Sequence, residues 1–467
     1  MFYEQLFAKA GSKVVQTGFI GSGVFSTPMI TQSFTIPYMN TPVIADLNIE
    51  AAKAAFLAGG VSAEDIVVCD SLAKTKTAIE AGKRVVVEDG NILMDLPLDV
   101  IVTATRIPEN AAYFGEKVIM SGKHLVMIDK EAESVIGSIL KHKAEKQGVV
   151  FTTDMGDQPG LVMGLVSWAR VMGFEVVSAG NIRNYTYEPA TGKLSVRFNR
   201  SVTVLEKDRW AFETIPPGQV KKYVEVRQNA AEAFSIDEEC GDPICHLVIA
   251  GNGTGLLPDT PVGHRPCMWW REFPEVLAPE SEGGILSRSG IMEEPYLLKE
   301  PGDNTPGGNM YVTIACHDKV ASKHMLSCVF SNHAGKTMFI YRPFQLGSAE
   351  ANISVLCAGL LGVGAAEKIY PHVDAVARAA RDMKAGEVVG SSPGTLGWDH
   401  SVRAGMIPGI TVGPDNPVPF FMLSGNRLKR DVSAGTVITL DMIEEPRNSH
   451  LWRLRREQDQ VFFGGKK

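Results

Sequence analysis

The run Gly21-Ser22-Gly23-Val24-Phe25-Ser26 directly follows the apolar, β-branched segment VVQTGFI (14–20) and opens a helical segment. In that setting Gly21 permits a tight turn and Gly23 lets the backbone approach a diphosphate, while the helix start offers free N–H groups and a favourable dipole. Ser26 takes the place where a third glycine is often found and is small enough for close helix packing. Asp46 closes the second apolar run, TPVIADL (41–47), where a carboxylate accepts hydrogen bonds from an adenosine ribose. The expectation is a dinucleotide site, for NAD or NADP, built from Gly21, Ser22, Gly23, Val24, Phe25, Asp46 and Thr105. No arginine follows Asp46, which favours NAD, although Lys53 is within reach of a 2′-phosphate. A second glycine cluster, Gly359, Gly362 and Gly364, lacks a separate strand before it and is explained by helix packing.

Hydride transfer to a carbonyl builds negative charge on oxygen, so a cation or acid is needed beside the nicotinamide, and an acid or base must handle the proton. Nicotinamide rings lie at the carboxyl ends of the strands, which privileges Thr105 and Arg106, then Lys130 and Glu131, then Asp154 and Asp157. Lys130 is expected as electrophile or proton donor and Glu131 as base or metal ligand. The competing reading is an exposed lysine that opens a helix beside acids favouring its N-terminus. Asn252, Asp259, His264 and Arg265 share a glycine-rich loop, where polar clustering points to ligand contacts. The candidate catalytic set is therefore Lys130, Glu131, Asp157 and His264, and the candidate substrate contacts are Arg106, Asn252, Arg265 and Arg342. Arg342 either grips a carboxylate or phosphate or forms a structural ion pair with Glu350. Cys240, Cys245 and His246 match no zinc spacing and read as inert thiols beside a buried histidine, so no structural metal is expected.

The elements that must hold these groups follow from the apolar pattern. From Lys13 to about Thr153 short β-branched runs alternate with helix-like segments, as in a parallel sheet covered by helices. Strands are predicted at 14–20, 41–47, 99–105, 124–130 and 148–154, and helices at 50–58, 71–81 and 108–121. After Asp157 the alternation stops, and an α+β region with long glycine- and proline-rich loops is expected. ARDMKAGEVV (380–389) returns as KRDVSAGTVI (429–438), each a polar turn before a short β run, which predicts a compact all-β module over 373–445. The tail HLWRLRREQDQVFF alternates apolar and charged residues at helical spacing and should pack back onto the body. The fold class is α/β, with a doubly wound domain at 1–155, an α+β substrate and dimerisation domain at 156–372, and an all-β module with its tail at 373–467.

A chain of 467 residues exceeds what one core supports. The net charge of −7 is mild and no run of like charges appears, so neither nucleic acid nor a membrane surface is a natural partner, and a small molecule is. Seven scattered cysteines without CxxC pairs argue against a disulfide framework and fit a reducing cytoplasm. The first residues lack the apolar core of a secretory signal. The stretch 353–366 contains three glycines and falls short of a bilayer span, so it is expected as a packed helix.

GFIGSG (18–23), GDQPG (156–160), GNGTGLLPDTPVGH (251–264), YRPFQL (341–346), RDMKAGE (381–387), KRDVSAG (429–435) and LRREQD (454–459) together resemble the homoserine dehydrogenase-like proteins with a C-terminal SAF domain. The resemblance implies a Rossmann domain, a substrate and dimerisation domain and a SAF module, in a homo-oligomer. One branch of that group is similar to reductoisomerases that act on 1-deoxy-D-xylulose 5-phosphate with NADPH and a divalent metal; others resemble sugar-acid or polyol oxidoreductases. This chain departs from the pattern with Asn181 for a lysine, His246 for a glutamate, Gln345 for a histidine, and Asp129-Lys130-Glu131 for an Asn-Val-Glu stretch, which suggests an altered substrate. The function expected is NAD(P)-dependent oxidation or reduction of a sugar acid, polyol or sugar phosphate. Two alternatives stand beside it: an oxidoisomerase with Mg or Mn on Glu131, Asp154 and Asp157, and a non-catalytic SAF-type binding protein.

Overall fold

The structure is a computed structural model that describes residues 2–196, 200–232, 241–305, 308–390 and 401–464. Seven parallel strands form the first sheet: β1 (Val15–Ile20), β2 (Met39–Ala45), β3 (Ile66–Cys69), β4 (Arg84–Val87), β5 (Val100–Thr103), β6 (His124–Met127) and β7 (Phe151–Thr153). Their order is β3-β4-β2-β1-β5-β6-β7, so the chain reverses direction across the sheet beside β1, where the glycine turn lies. Val43, Ile44 and Ala45 are all buried and belong alternately to the two cores on either side of the sheet. Such continuous apolar strands are what a sheet covered on both faces requires. Of the five expected strands four are present with trimmed ends and β2 is shifted two residues toward the N-terminus, whereas β3 and β4 were not anticipated: IVVC and RVVV follow charged loops.

The second sheet is organised on β8 (Glu175–Glu188), which pairs antiparallel with Asn309–Ala315, itself paired with Thr337–Arg342. Helices Gln158–Val171 and Gly241–Thr254 cover one face, where Val162, Val166 and Val248 share a core with Ala179, Met310 and Val312. The stretch expected as one helix over 353–366 is instead a short α-helix, Asn352–Leu356, continued by a π-turn, Cys357–Leu361, and stopped by Gly362 at φ +66°. It packs on the first sheet: a Cβ on Gly359 would overlap Val15, and Lys13 Nζ donates to the Gly359 carbonyl at 2.9 Å.

The repeated decapeptide becomes a pseudo-twofold. Met383 and Val432, equivalent positions of the two copies, exchange both backbone N–H···O bonds. Asp382 accepts from the Ala434 N–H at 2.8 Å and Asp431 from the Ala385 N–H at 2.9 Å, the same contact in each direction. Gly386 and Gly435 turn the two copies at φ +84° and +82°, a conformation that L side chains disfavour. Strands Val373–Ala379 and Val402–Pro408 pair antiparallel alongside.

Helix His450–Phe463 returns across the body as its amphipathic pattern requires. Its fully buried Arg455 donates to both oxygens of Asp374, at 2.6 and 2.8 Å, to Asp459 at 2.9 Å and to the Ile410 carbonyl at 2.7 Å. Gln458 bonds the Val135 carbonyl at 3.0 Å and the Ile139 N–H at 3.1 Å, gripping the helix Lys130–Gln147. Removing one member of a buried ion network leaves carboxylates uncompensated, so Arg455→Ala should lower the unfolding free energy by about 3–5 kcal/mol. Arg456→Ala, which breaks only an exposed pair with Glu445, should cost less than about 1 kcal/mol. Denaturant titration of the two variants checks the contrast; equal losses would refute it.

Candidate functional site

The glycine turn leaves β1 with Gly21 at φ +101°, its N–H donating to the Ala45 carbonyl at 2.8 Å. A Cβ there would overlap the Ala104 carbonyl, so both conformation and close approach demand glycine. Gly23 is different, because a Cβ there would meet nothing, and its value lies in the room it leaves. Asp46 organises the turn: one oxygen accepts from the Ser22 N–H and hydroxyl, both at 2.6 Å, and the other from the Asn48 N–H at 2.7 Å. Ser22 is therefore engaged with Asp46, and its amide is not available to a phosphate. The N–H groups of Gly23, Val24 and Phe25 have no hydrogen-bond partner among the described residues. They precede the helix Ser26–Ser33, where Ser26 is buried and its hydroxyl bonds the Gly21 carbonyl at 2.9 Å.

A second acid does the same at the end of β5. Buried Asp129 accepts from the Thr105 N–H at 2.6 Å, the Thr105 hydroxyl at 3.0 Å and the Arg106 N–H at 2.8 Å. The Thr105 hydroxyl is thus occupied. Arg106 is held at φ +60° with its side chain exposed.

Between these turns sits Lys130. It opens the helix Lys130–Gln147 as expected, yet it is buried, which overturns the exposed-lysine reading. Its Nζ lies 2.7 Å from Asp157 Oδ2 and 4.5 Å from the centre of the Phe25 ring, so it joins the glycine turn to the end of β7. A cation at a helix N-terminus opposes the dipole. Burial pushes its pKa down, but Asp157 and Asp154 more than reverse this, and the ammonium is held above its ordinary value. Asp157 also caps the next helix by accepting the Gln158 N–H at 2.8 Å. Burial raises Asp157, but Lys130 and then His246 hold it below the usual carboxylate range. Asp154 is shifted the other way: burial raises it more than Lys130 lowers it, and Asp157 and Glu350 add to the rise. Its Oδ1 accepts the Gly156 N–H at 2.7 Å, while Oδ2 is buried without a partner. One turn beyond Lys130, Glu133 has both oxygens buried beside Thr153, and burial raises it to about 8.

The second sheet closes the site. His246 Nδ1 lies 2.9 Å from Gln158 Oε1. The Gln158 and Gln345 side chains meet over Gly308, whose φ is +78° and where a Cβ would come within 2.6 Å of Gln345 Nε2 and 3.1 Å of Gln158 Nε2. Asn181, Met310 and Arg342 form one row across three paired strands. Of the two readings of Arg342, the ion pair forms: Nη2 lies 2.6 Å from Glu350 Oε1, with the guanidinium over the Phe344 ring. Glu350 and Ala351 in turn press against Gly156, where a Cβ would overlap their backbone.

Lys130, Asp154 and Asp157 are thus brought together, with Arg342 behind Glu350. Three loop candidates have protein partners of their own. Asn252 is buried and accepts the Val373 N–H at 2.9 Å, tying helix Gly241–Thr254 to the all-β module. The His264 ring bonds Asp259 at 2.8 Å, and the backbone N–H groups of His264 and Arg265 bind the Glu293 carboxylate at 2.7 and 3.0 Å. Glu131 is half-buried in the first helical turn. Among the described residues Glu131, Asp154 and Asp157 form no three-residue group placed to hold a metal ion. Cys240 lies outside the described residues. Glu133 was not anticipated, although its spacing of three from Lys130 puts both on one helix face.

Between about pH 4.5 and about 8 folded Glu133 keeps a proton that the unfolded chain releases, so stability falls as pH rises through that window. Glu133→Gln removes this slope. Its melting temperature should match the parent near pH 4.5 and exceed it by several degrees at pH 8; a constant difference across the range would contradict the assignment.

No curated protein matches the chain. Solved structures similar to it include the 3-ketoreductase KijD10 of Actinomadura kijaniata, at 14% identity and a TM-score of 0.26 over 38% of this chain and 48% of that one. The WlbA dehydrogenase of Bordetella pertussis is 18% identical, with a TM-score of 0.27 over 38% and 49% of the two chains. GenD2 from gentamicin A biosynthesis is 11% identical, with a TM-score of 0.35 over 75% and 87%. The chain spans about half the length of the first two, and all three likenesses are too distant to carry functional detail. Residues 156–351, which include Asp157, Gln158, Asn181, His246, Arg342 and Glu350, match the family model described as oxidoreductase DRL, catalytic domain. The match covers less than half of the chain, so residues 156–351 are similar to the catalytic domain of that oxidoreductase family.

Proposed function

We propose that the chain is a nicotinamide-dependent oxidoreductase acting on a small hydroxylated or keto compound. One observation carries the reading: Phe25, the last residue of a turn with three successive free amides, bears the ammonium of Lys130, which is ion-paired to Asp157. A diphosphate cradle and a buried acid–base cluster are therefore contiguous. Gly23, Val24 and Phe25 would bind the diphosphate through their N–H groups, and Asp46, besides bracing Ser22 and Asn48, would offer the ribose a carboxylate that repels a 2′-phosphate. Lys53 is held by Glu50 at 2.7 Å, which further supports NAD over NADP.

The bound nicotinamide would supply or accept hydride. Lys130, kept cationic, would hold the substrate oxygen and stabilise negative charge developing on it. Asp154, raised by burial beside Lys130, is the group suited to exchange the hydroxyl proton at its free Oδ2. Asp157 positions Lys130. The segments 1–155, 156–372 and 373–467 would then serve cofactor, substrate and a SAF-like closing module, in a homo-oligomer.

Gly21→Ala should weaken dinucleotide binding at least about tenfold by calorimetry, since the turn cannot form around a Cβ. Lys130→Met should lower kcat/KM by about 10²–10³ while leaving the dinucleotide Kd within about twofold. Asp154→Asn should abolish the acid limb of the pH–rate profile. Unaltered turnover in both site variants would sink the proposal.

A further inference from the structure

We propose that Glu109 is a positioning residue for the dinucleotide, through which the C-terminal helix steadies the loop that follows β5. The inference rests on the cofactor reading above and extends it to a part of the chain far from the glycine turn. In a doubly wound sheet the cofactor crevice opens where neighbouring strands lead off in opposite directions, here between β1 and β5. The loop after β5 is one wall of that crevice. It touches the other wall directly: the Ala104 N–H donates to the Ile20 carbonyl at 2.9 Å, and the Ala104 carbonyl lies where a Cβ on Gly21 would stand. Asp129 then takes the N–H groups of Thr105 and Arg106 and fixes the near end of the loop. Arg106 is held there at φ +60°, a conformation that a side chain makes costly and that persists only where the surroundings impose it.

Glu109 fixes the far end. It stands in the first turn of the helix Pro108–Met120 and reaches the start of the helix His450–Phe463. One oxygen accepts the Ser449 hydroxyl at 2.5 Å and the Leu451 N–H at 3.4 Å, and the other accepts the His450 N–H. The carboxylate thus sits at two helix N-termini, where unsatisfied N–H groups and both dipoles favour a negative charge. On the other side of this contact Asn448 is left-handed as well, at φ +60°. Of three such non-glycine residues among the described ones, Arg106 and Asn448 border the bond that Glu109 makes. A cavity of about 330 Å³ is lined by Ile107 and Pro108 from the loop and by Phe421, Asn426 and Asn448 from the C-terminal part of the chain. Close packing is interrupted there, and the hydrogen bonds of Glu109 carry the tie.

Glu116, about 10 Å farther along the same helix, provides the control. It also meets the C-terminal helix, through Arg453, and it meets Lys143 at 3.2 Å, yet it lies away from the loop. Because Arg455 anchors the C-terminal helix to Asp374 of the all-β module, occupation of the cofactor crevice and the seating of that helix are linked, and such linkage acts equally in both directions.

The test uses the full-length protein. NAD and NADP binding to the parent is measured first by calorimetry; if neither binds, the cofactor reading falls and takes this inference with it. For the better-bound dinucleotide, Glu109→Ala should raise Kd by about tenfold, the scale of one charge-assisted hydrogen bond. Glu109→Gln keeps an acceptor and should recover part of that loss. Glu116→Ala, which also removes a tie to the C-terminal helix, should leave Kd within about twofold of the parent. A purely structural role would lower the melting temperature of both alanine variants and move neither Kd. Hydrogen exchange reads the link in the parent itself: bound dinucleotide should slow the His450 and Leu451 amides by about fivefold or more, and Glu109→Ala should remove that protection. Should Glu109→Ala fail to fold, the glutamine variant and the exchange of the parent decide. An unchanged Kd in the Glu109 variants, equal losses in the two alanine variants, or unchanged exchange in the parent would overturn the assignment while leaving dinucleotide binding intact.

Discussion

A lysine buried at the N-terminus of a helix is opposed by both desolvation and the dipole, and Lys130 is stable there because Asp157 meets it at 2.7 Å. That pair constrains the rest. Lys130 leaves the carboxyl end of β6, and Asp157 leaves that of β7 and caps the helix that covers the second sheet. Holding the two together fixes where the second sheet sits relative to the glycine turn, and places Phe25, the end of that turn, against the ammonium. Asp154 and Glu133 then share an environment where ionisation is disfavoured.

Acids at the strand ends repeat one device. Asp46 gathers Ser22 and Asn48, and Asp129 gathers Thr105 and Arg106, each binding two backbone N–H groups beyond a strand end. The glycine turn is thereby held in place, and among the described residues the amides of Gly23, Val24 and Phe25 that follow have no partner. Fixed donors of this kind need little rearrangement when an anion arrives.

The C-terminal module joins this frame through its helix. Arg455 binds Asp374 of the module and Asp459 of its own helix, and Gln458 grips the helix that begins at Lys130. A displacement of the module would therefore be felt along the helix bearing the catalytic candidates. The pseudo-twofold keeps the module rigid without any α-helix among its described residues from 373 to 445, because each copy of the repeat supplies the hydrogen bonds that the other lacks.

Local patterns determined what depends on neighbours along the chain. The glycine turn after β1, the alternation of strands and helices, the repeat around Met383 and Val432 and the amphipathic tail were legible because backbone conformation and periodicity are written within a few residues. Strands β3 and β4 escaped although β5, β6 and β7 are no longer than they are, so length alone is not the reason. Tertiary structure alone decided which polar groups are buried together. Glu133 and Lys130 look like surface residues of a charged helix until Asp154 and Asp157 close over them. Likewise only the fold shows that Asn252 meets Val373, that the His264 ring meets Asp259 and that the Arg265 backbone meets Glu293. A side chain's ionisation and its partner depend on atoms brought close from distant parts of the chain, and no spacing rule within the sequence carries that distance.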